Sequence, residues 1–237
     1  MTNIRHPQNC MMCPVRNDSL FCDFDDGLTN WVAQRKVHLS LSKEDILFTQ
    51  GDDVKGIYCH LQGLTKVVQK DPRGKIRFSR LVLPGDTSGH RSLFIAEKYK
   101  GTASVLSHDF HACFIPKEDI LFLLSSSPSF AKNLVTKISN ELSRSEDKAI
   151  SVREKNVLHR LAILLLELYT HYSDKFENGS RILKSEITKR DIASAMLVAN
   201  ETIIRLMSEM KSEGIITYKD KKIVILDTMK LKKLGRL

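Results

Sequence analysis

The chain has 237 residues, is 42% hydrophobic and 27% charged, and carries a net charge of +9. These are ordinary values for a chain that buries a real core. No apolar run approaches the roughly 18 residues of a membrane span; the longest, Leu161 to Leu166, is followed at once by Glu167.

The first residues are polar and lack a signal-peptide apolar region. A cytoplasmic chain with no membrane partner is therefore expected. In that compartment clustered cysteines more often bind metal or carry redox chemistry than form disulfides. Three of the five cysteines lie between Asn9 and Cys22, in NCMMCPVRNDSLFC, with the spacing C-x2-C-x8-C. Cys10, Cys13 and Cys22 are one ligand short of a tetrahedral site, and a C-x2-C half-site also suits zinc.

From about Lys36 to Pro116 short apolar runs alternate with turn residues, and Gly51, Gly63, Gly74, Gly85 and Gly101 fall between or beside them. Asp71-Pro72-Arg73-Gly74 is a strong turn signal between two β-rich runs. Strands at this spacing predict a sandwich or barrel-like roll. Cys59 alternates with core residues and reads as packing; a free Cys on a strand is most often a small buried hydrophobe.

After Pro116 the period changes. Ser127-Pro128-Ser129 suits a helix start, and no Gly or Pro interrupts the chain from Phe130 to about Val152. Ile138, Leu142, Ser145, Ala149 and Val152 recur with heptad spacing, which predicts a narrow seam and a dimer contact. A second helix is expected from about Asn156 to Tyr172, followed by a polar loop, DKFENGSRI.

Residues 151–237 hold 17 Lys and Arg against 11 Asp and Glu, so the positive excess concentrates at this end. Such a field attracts phosphates. Thr188-Lys189-Arg190-Asp191 has the form of a capping box with Asp in place of Glu or Gln. A short helix carrying Ile192, Ala195 and Met196 inward follows, and after about three residues a second begins near Asn200. Two short helices with a tight connection form a helix-turn-helix. Gly214 ends the second helix, and two strands joined by Lys219 to Lys222 form a basic hairpin, the wing. Glu201 and Arg205 are four apart and share a helix face. Arg suits guanine O6 and N7, and a carboxylate suits cytosine N4. Met207 and Met210 read as core.

With these elements in order, the sequence resembles the CRP/FNR superfamily of bacterial transcription factors over nearly its whole length. Glu201-Thr202-Ile203-Ile204-Arg205 is similar to the recognition-helix pattern E-[TS]-[IV]-x-R. The resemblance implies an α+β chain divided into a cysteine-rich segment (1–24), a cyclic-nucleotide-binding-like β-roll (25–125), a dimerisation helix (126–155) and a winged helix-turn-helix (156–237). It implies base contacts from Glu201 and Arg205, joined by Asn200 and Thr202. Phosphate contacts are expected from Thr188, Lys189, Arg190, Lys219, Lys221 and Lys222. Leu197 stands where the family usually has Gly, and Ala199 where Ser or Thr caps the recognition helix, so Asn200 is expected to cap it one residue late.

Cyclic-nucleotide binders in the superfamily resemble G-E-[LIV]…R-[ST]-A, the Glu holding the ribose and the Arg the phosphate. Here His90 and Gly101 stand in those places. Without an Arg fork a phosphate loses its strongest partner, so no cyclic AMP is expected. The FNR-like branch instead carries a [4Fe–4S] cluster on three N-terminal cysteines and a fourth on a late strand. Cys113 in ACFIP occupies that fourth place, and CxxCPVR resembles the FixK/FnrN type. The resemblance thus implies metal ligation by Cys10, Cys13, Cys22 and Cys113. The x8 spacing exceeds the family's five to seven residues, and an extra loop residue is readily absorbed.

The expected function is a homodimeric, sequence-specific DNA-binding regulator gated by an oxygen- or nitric-oxide-labile cluster. It would act on an inverted-repeat operator with RNA polymerase as partner. Alternatives are a family regulator without a cluster that answers a small molecule or thiol redox, and a zinc- or Fe–S-binding module without DNA function. The eight histidines are scattered and no nucleophile–base pair or phosphate loop is evident, so an enzyme is not expected.

Overall fold

The polar segment ahead of the first strand forms a helix, α1 (Asp26–Arg35), whose N-cap Asp25 accepts a bond from Leu28 N at 2.7 Å. The computed structural model describes residues 10–95, 98–153, 157–184 and 187–235, with no side-chain description at 147–153 and 178. The β-rich region follows as β1 (Val37–Leu41), β2 (Ile46–Phe48), β3 (Gly56–Gln62), β4 (Thr65–Lys70), β5 (Ile76–Val82), β6 (Thr87–Ser88), a short helix α2 (His90–Ile95), β7 (Thr102–Val105) and β8 (Phe110–Pro116).

These strands form two antiparallel sheets, in the orders β1-β8-β3-β6 and β2-β7-β4-β5. One apolar core, including Ile57, Val82, Ala103, Ile115 and Phe130, fills the roll. β3 and β8 pair over nearly their full length, which sets Cys59 opposite Cys113. The Asp71–Gly74 turn forms as the sequence predicts, closing β4 onto β5, with Gly74 N bonded to Asp71 O at 2.8 Å.

Two helices leave the roll, α3 (Lys117–Ser126) and α4 (Pro128–Arg153). Sequence reading did not separate α3 from the roll. The break falls at Ser127, whose N–H closes α3 onto Leu123 O and whose hydroxyl accepts from Phe130 N at 3.3 Å, with Pro128 opening α4. Phe130 and Leu134 anchor the start of α4 in the roll core. Val135, Ile138 and Leu142 remain 63%, 42% and 59% exposed.

The C-terminal part has its own core and runs α5 (Val157–His171), β9 (Ser173–Lys175), β10 (Arg181–Leu183), α6 (Lys189–Met196), α7 (Asn200–Ser212), β11 (Ile216–Lys219), β12 (Lys222–Ile225) and α8 (Thr228–Leu234). One expectation is corrected here. The polar stretch DKFENGSRI is not simply a loop; its ends are the strands β9 and β10, which extend the wing to a sheet in the order β11-β12-β10-β9. The two parts touch. Leu64 and Leu106 of the roll join the C-terminal core, Ser107 Oγ and Tyr172 Oη lie 2.8 Å apart, and Lys66 Nζ meets Asp191 Oδ1 at 3.2 Å. Among the described residues no helix is long and apolar enough to cross a membrane.

The roll interior holds fully buried histidines. His60 on β3 lies 2.9 Å from Ser88 Oγ through Nε2, while its Nδ1 has no partner. Burial pushes its pKa down to about 3 from 6.5; Asp86 opposes this, and Arg80 and Lys137 reinforce it. Below pH 6.5 the unfolded chain therefore takes up a proton that the folded chain refuses, and stability falls with falling pH. Replacing His60 with Gln should flatten the pH profile of the unfolding free energy, measured by urea titration, over the pH unit below 6.5 by up to about 1.4 kcal/mol.

Candidate functional site

The N-terminal segment is not a free tail where it is described. Short helical turns at Cys10–Met12 and Arg16–Asp18 fold it back along the roll. Leu20 and Phe24 are buried, and the Phe21 ring stacks on Phe130 of α4 with centroids 5.7 Å apart. Arg16, the Arg of CPVR, is the clasp. Its Nη2 donates to Phe24 O at 2.7 Å and to Thr29 Oγ1 at 3.3 Å, tying the segment to α1. Sequence reading noted the motif without assigning Arg16 this part.

The fold-back brings three of the four expected ligands together. Lys36, at the end of α1, stands close enough to Cys10, Cys13 and Cys113 for their charges to act on its own. Burial works against the Lys36 ammonium, but Cys113, Cys10 and Cys13 outweigh it and raise its pKa. Burial likewise pushes the Cys113 thiol up to about 11, although Lys36 opposes it. Cys59 is buried beside this group and feels Cys113 and Cys13, its pKa raised first by burial.

Cys22 is placed differently. Its Sγ accepts from Asn133 Nδ2 of α4 at 3.4 Å, and the same amide donates to Leu20 O at 3.2 Å. The four-thiol set is thus incomplete as it stands: Cys10, Cys13 and Cys113 gather at Lys36 while Cys22 faces α4. Among the described residues no group of three or more His, Cys, Asp or Glu is spaced to hold a metal ion. As placed, the four thiols do not fit a [4Fe–4S] cluster: Cys22 is turned to Asn133, and Cys10, Cys13 and Cys113 are not themselves at metal-holding spacing.

The second candidate surface is the helix-turn-helix. The Thr188 box forms, with Oγ1 accepting from Asp191 N at 3.0 Å and donating to Asp191 Oδ2 at 2.6 Å. That bond occupies the Thr188 hydroxyl. α6 ends at Leu197 in the left-handed region, φ +56°, where glycine would be unstrained. Asn200 does not cap α7. It is the first helical residue, its Oδ1 has no partner, and the N-cap Ala199 has no capping side chain. Ile203, Leu206, Met207 and Met210 face the core. Glu201 and Arg205 point outward, and Arg205 Nη1 pairs with Glu209 Oε1 at 2.7 Å rather than with Glu201. Thr202 is half-buried at the edge of this face. Ile204, 42% exposed, and the exposed Ser208 also point outward. Sequence reading missed both; the signal was an apolar side chain one residue before Arg205, off the core stripe.

The wing turn has φ +49° at Asp220 and +62° at Lys221, the signs of a type I′ hairpin. Lys221 is exposed at the tip. Lys219 lies 4.9 Å from the Phe176 ring and 3.4 Å from Glu177 Oε1, while Lys222 is half-buried. Lys189 stands 5.4 Å over the Tyr218 ring, and Arg190 is exposed. Thr188, Lys189, Arg190, Lys219 and Lys221 thus belong to the α6–wing side of this part. These are local ion pairs and ring contacts on a wet surface, each weak enough to yield to a phosphate.

A roll joined to a winged helix-turn-helix defines a DNA-binding regulator with an effector-type domain, and the comparisons agree. The family model of the cyclic nucleotide-binding domain matches residues 38–127, and that of the Crp-like helix-turn-helix domain matches 159–234. The fumarate and nitrate reduction regulatory protein of Vibrio cholerae is 26% identical over 230 residues, covering 97% of this chain and 90% of that one. The anaerobic regulatory protein of Pasteurella multocida is 25% identical over 206 residues, covering 87% and 73%. Among solved structures, FixK2 of Bradyrhizobium japonicum superposes with a TM-score of 0.71 at 20% identity, covering 84% of this chain and 96% of that one. The chain belongs to the CRP/FNR family of DNA-binding transcription regulators, and its relatives are regulators rather than enzymes.

The Leu197 strain has a measurable consequence. An L-residue in the left-handed region costs about 1 kcal/mol relative to glycine, and the Leu197 side chain is 61% exposed, so little packing offsets that cost. Leu197→Gly should raise stability by about 1 kcal/mol in urea titration; a destabilised variant would contradict the strain.

Proposed function

We propose that the chain acts as a homodimer on an inverted-repeat DNA operator, and that the thiol junction at Lys36 gates it in response to oxygen or nitric oxide. The carrying observation is that the folded segment brings Cys10 and Cys13, far from Cys113 in sequence, into electrostatic reach of Cys113 and of the same ammonium, Lys36. The same folded segment holds Cys22 and Leu20 against α4 through Asn133. A change at the thiols is therefore transmitted to the base of the long helix by direct contacts.

A [4Fe–4S] cluster would supply an oxidant-labile link across this junction. The names of the Vibrio and Pasteurella relatives, which refer to anaerobic and fumarate–nitrate regulation, favour that reading. Cys10, Cys13, Cys22 and Cys113 are its proposed holders; Cys22 would have to leave Asn133, and the other three would have to close up, to form the set. A thiol-redox reading without metal is favoured by one specific feature, the positive charge of Lys36, which opposes the burial of the Cys113 thiol and is felt by Cys10 and Cys13. Either way the chain divides into a cysteine segment (1–24), a roll (25–125), a pairing helix (126–155) and a DNA-binding unit (156–237).

The pairing surface is the exposed stripe Val135, Ile138 and Leu142 on α4, continued by the exposed Ser145. Val135 extends the predicted seam one step toward the roll; Ala149 and Val152 lie outside the described side chains. Pairing sets two α7 helices on half-sites about 34–36 Å apart. Arg205 then reads guanine after leaving Glu209, Glu201 accepts from cytosine, and Ile204 meets a thymine methyl group. Asn200 and Thr202 flank these contacts. Thr188, Lys189, Arg190, Lys219, Lys221 and Lys222 position the backbone without reading sequence. RNA polymerase is the proposed downstream partner.

Two measurements test this. Arg205→Ala should weaken operator binding by about 1–3 kcal/mol while leaving binding to random DNA nearly unchanged; equal losses on both would remove the base-reading role. Protein purified without oxygen should contain iron and sulfide, and it should lose dimer and operator affinity together on exposure to air. A colourless, iron-free protein that binds operator equally well before and after air would overturn the gate and leave the regulator.

A further inference from the structure

One carboxylate of the long helix is held by a cluster of basic side chains of the roll. Glu141 of α4 is bonded by three groups of the roll. Arg80 Nη1 reaches Oε1 at 2.9 Å, and Arg91 Nε and His90 Nε2 reach Oε2 at 2.8 and 3.1 Å. The cradle is built. Arg80 is fixed by a second bond from Nη2 to Thr87 O at 2.9 Å. His90 is fully buried. It is set by Gly89, whose φ of +88° and close approach to Gly56 O, 3.0 Å from an added Cβ, exclude a larger residue.

The position where a phosphate-binding Arg would stand is closed as well. A Cβ on Gly101 would lie 2.7 Å from Val68 O, so no long side chain can rise there without moving β4. Glu141 is only 11% exposed, yet His90, Arg80 and Arg91 outweigh the burial cost and hold its carboxyl well below the usual carboxylate range. Beside it, Lys137 of the preceding turn of α4 pairs with Asp86 at 2.8 Å. Glu141 also lines a cavity of about 360 Å³ between the cysteine segment, the turn at Pro84 and Gly85, and α4.

We propose that Arg80, His90 and Arg91 form a site for a small oxyanion or carboxylate, and that Glu141 occupies it as an internal ligand. The long helix is thereby seated on the roll by its own charge and not by a diffusible nucleotide. The cradle stands on geometry independent of the thiol junction.

The test uses the full-length protein and chemical rescue. Glu141→Ala empties the cradle and leaves two arginines unpaired, so its melting temperature should drop. Acetate or inorganic phosphate at constant ionic strength should restore much of the drop, saturably and in the millimolar range, and should leave the wild type unmoved. Glu141→Gln keeps the cradle filled without charge; it should melt below the wild type and resist rescue. Cyclic AMP should not shift the wild type. The proposal is overturned if Glu141→Ala melts like the wild type, if the anions fail to rescue a folded Glu141→Ala, or if they raise both proteins equally. A saturable wild-type response to cyclic AMP would overturn it too. If Glu141→Ala yields no folded protein, the Glu141→Gln melt decides, and a wild-type value there rejects the proposal.

Discussion

The structure depends on the fold-back of the N-terminal segment onto the start of the long helix. Phe21 and Phe24 pack on Phe130, Leu20 is buried, and Arg16 closes the loop against α1. Aromatic burial of this kind supplies several kcal/mol in a typical core, so the cysteines on the segment are held rather than loosely tethered. Cys10 and Cys13 reach Lys36 and Cys113 because the apolar residues after them have nowhere else to go. Remove that packing, and neither a shared metal nor a shared ammonium can draw the thiols together against the entropy of a free leader.

The same packing joins the cysteine segment to the long helix, the route along which the proposed gate would act. α4 is seated on the roll by two kinds of contact, the apolar base at Phe130 and Leu134 and the charged group at Glu141 and Lys137. Its outer face carries the apolar stripe that pairing would cover. The winged helix is not isolated from the roll either, because Leu64, Leu106 and the Lys66–Asp191 pair join them. On the proposed dimer, a shift of α4 would change the surfaces that set two recognition helices on DNA, as a population shift between two packings rather than a new contact.

Much of this was legible in the sequence where the signal was local. The Pro128 helix start, the Thr188–Asp191 box, the basic wing hairpin and the core stripe of α7 all follow from residue types at fixed offsets. What was missed depended on distant partners. β9 and β10 are three residues each, too short for alternation to show, and exist because β12 offers an edge. α3 follows β8 without a turn residue, and only the Ser127 break separates it from α4. Cys22 had the right residue type in the right neighbourhood, but Asn133, a long way along the chain, claims it. Glu141 looked like an ordinary polar residue on a helix, because its three partners come from β5 and α2.

The fold-back of the cysteine segment makes Cys10 and Cys113 neighbours. Mild oxidation of the metal-free protein, followed by non-reducing peptide mapping, tests that without reference to DNA or iron. The expected product is a disulfide joining the Cys10–Cys13 peptide to the Cys113 peptide. Links confined to the N-terminal cysteines, with Cys113 left reduced and alkylated only after unfolding, would contradict the fold-back and remove the route from the thiols to the long helix.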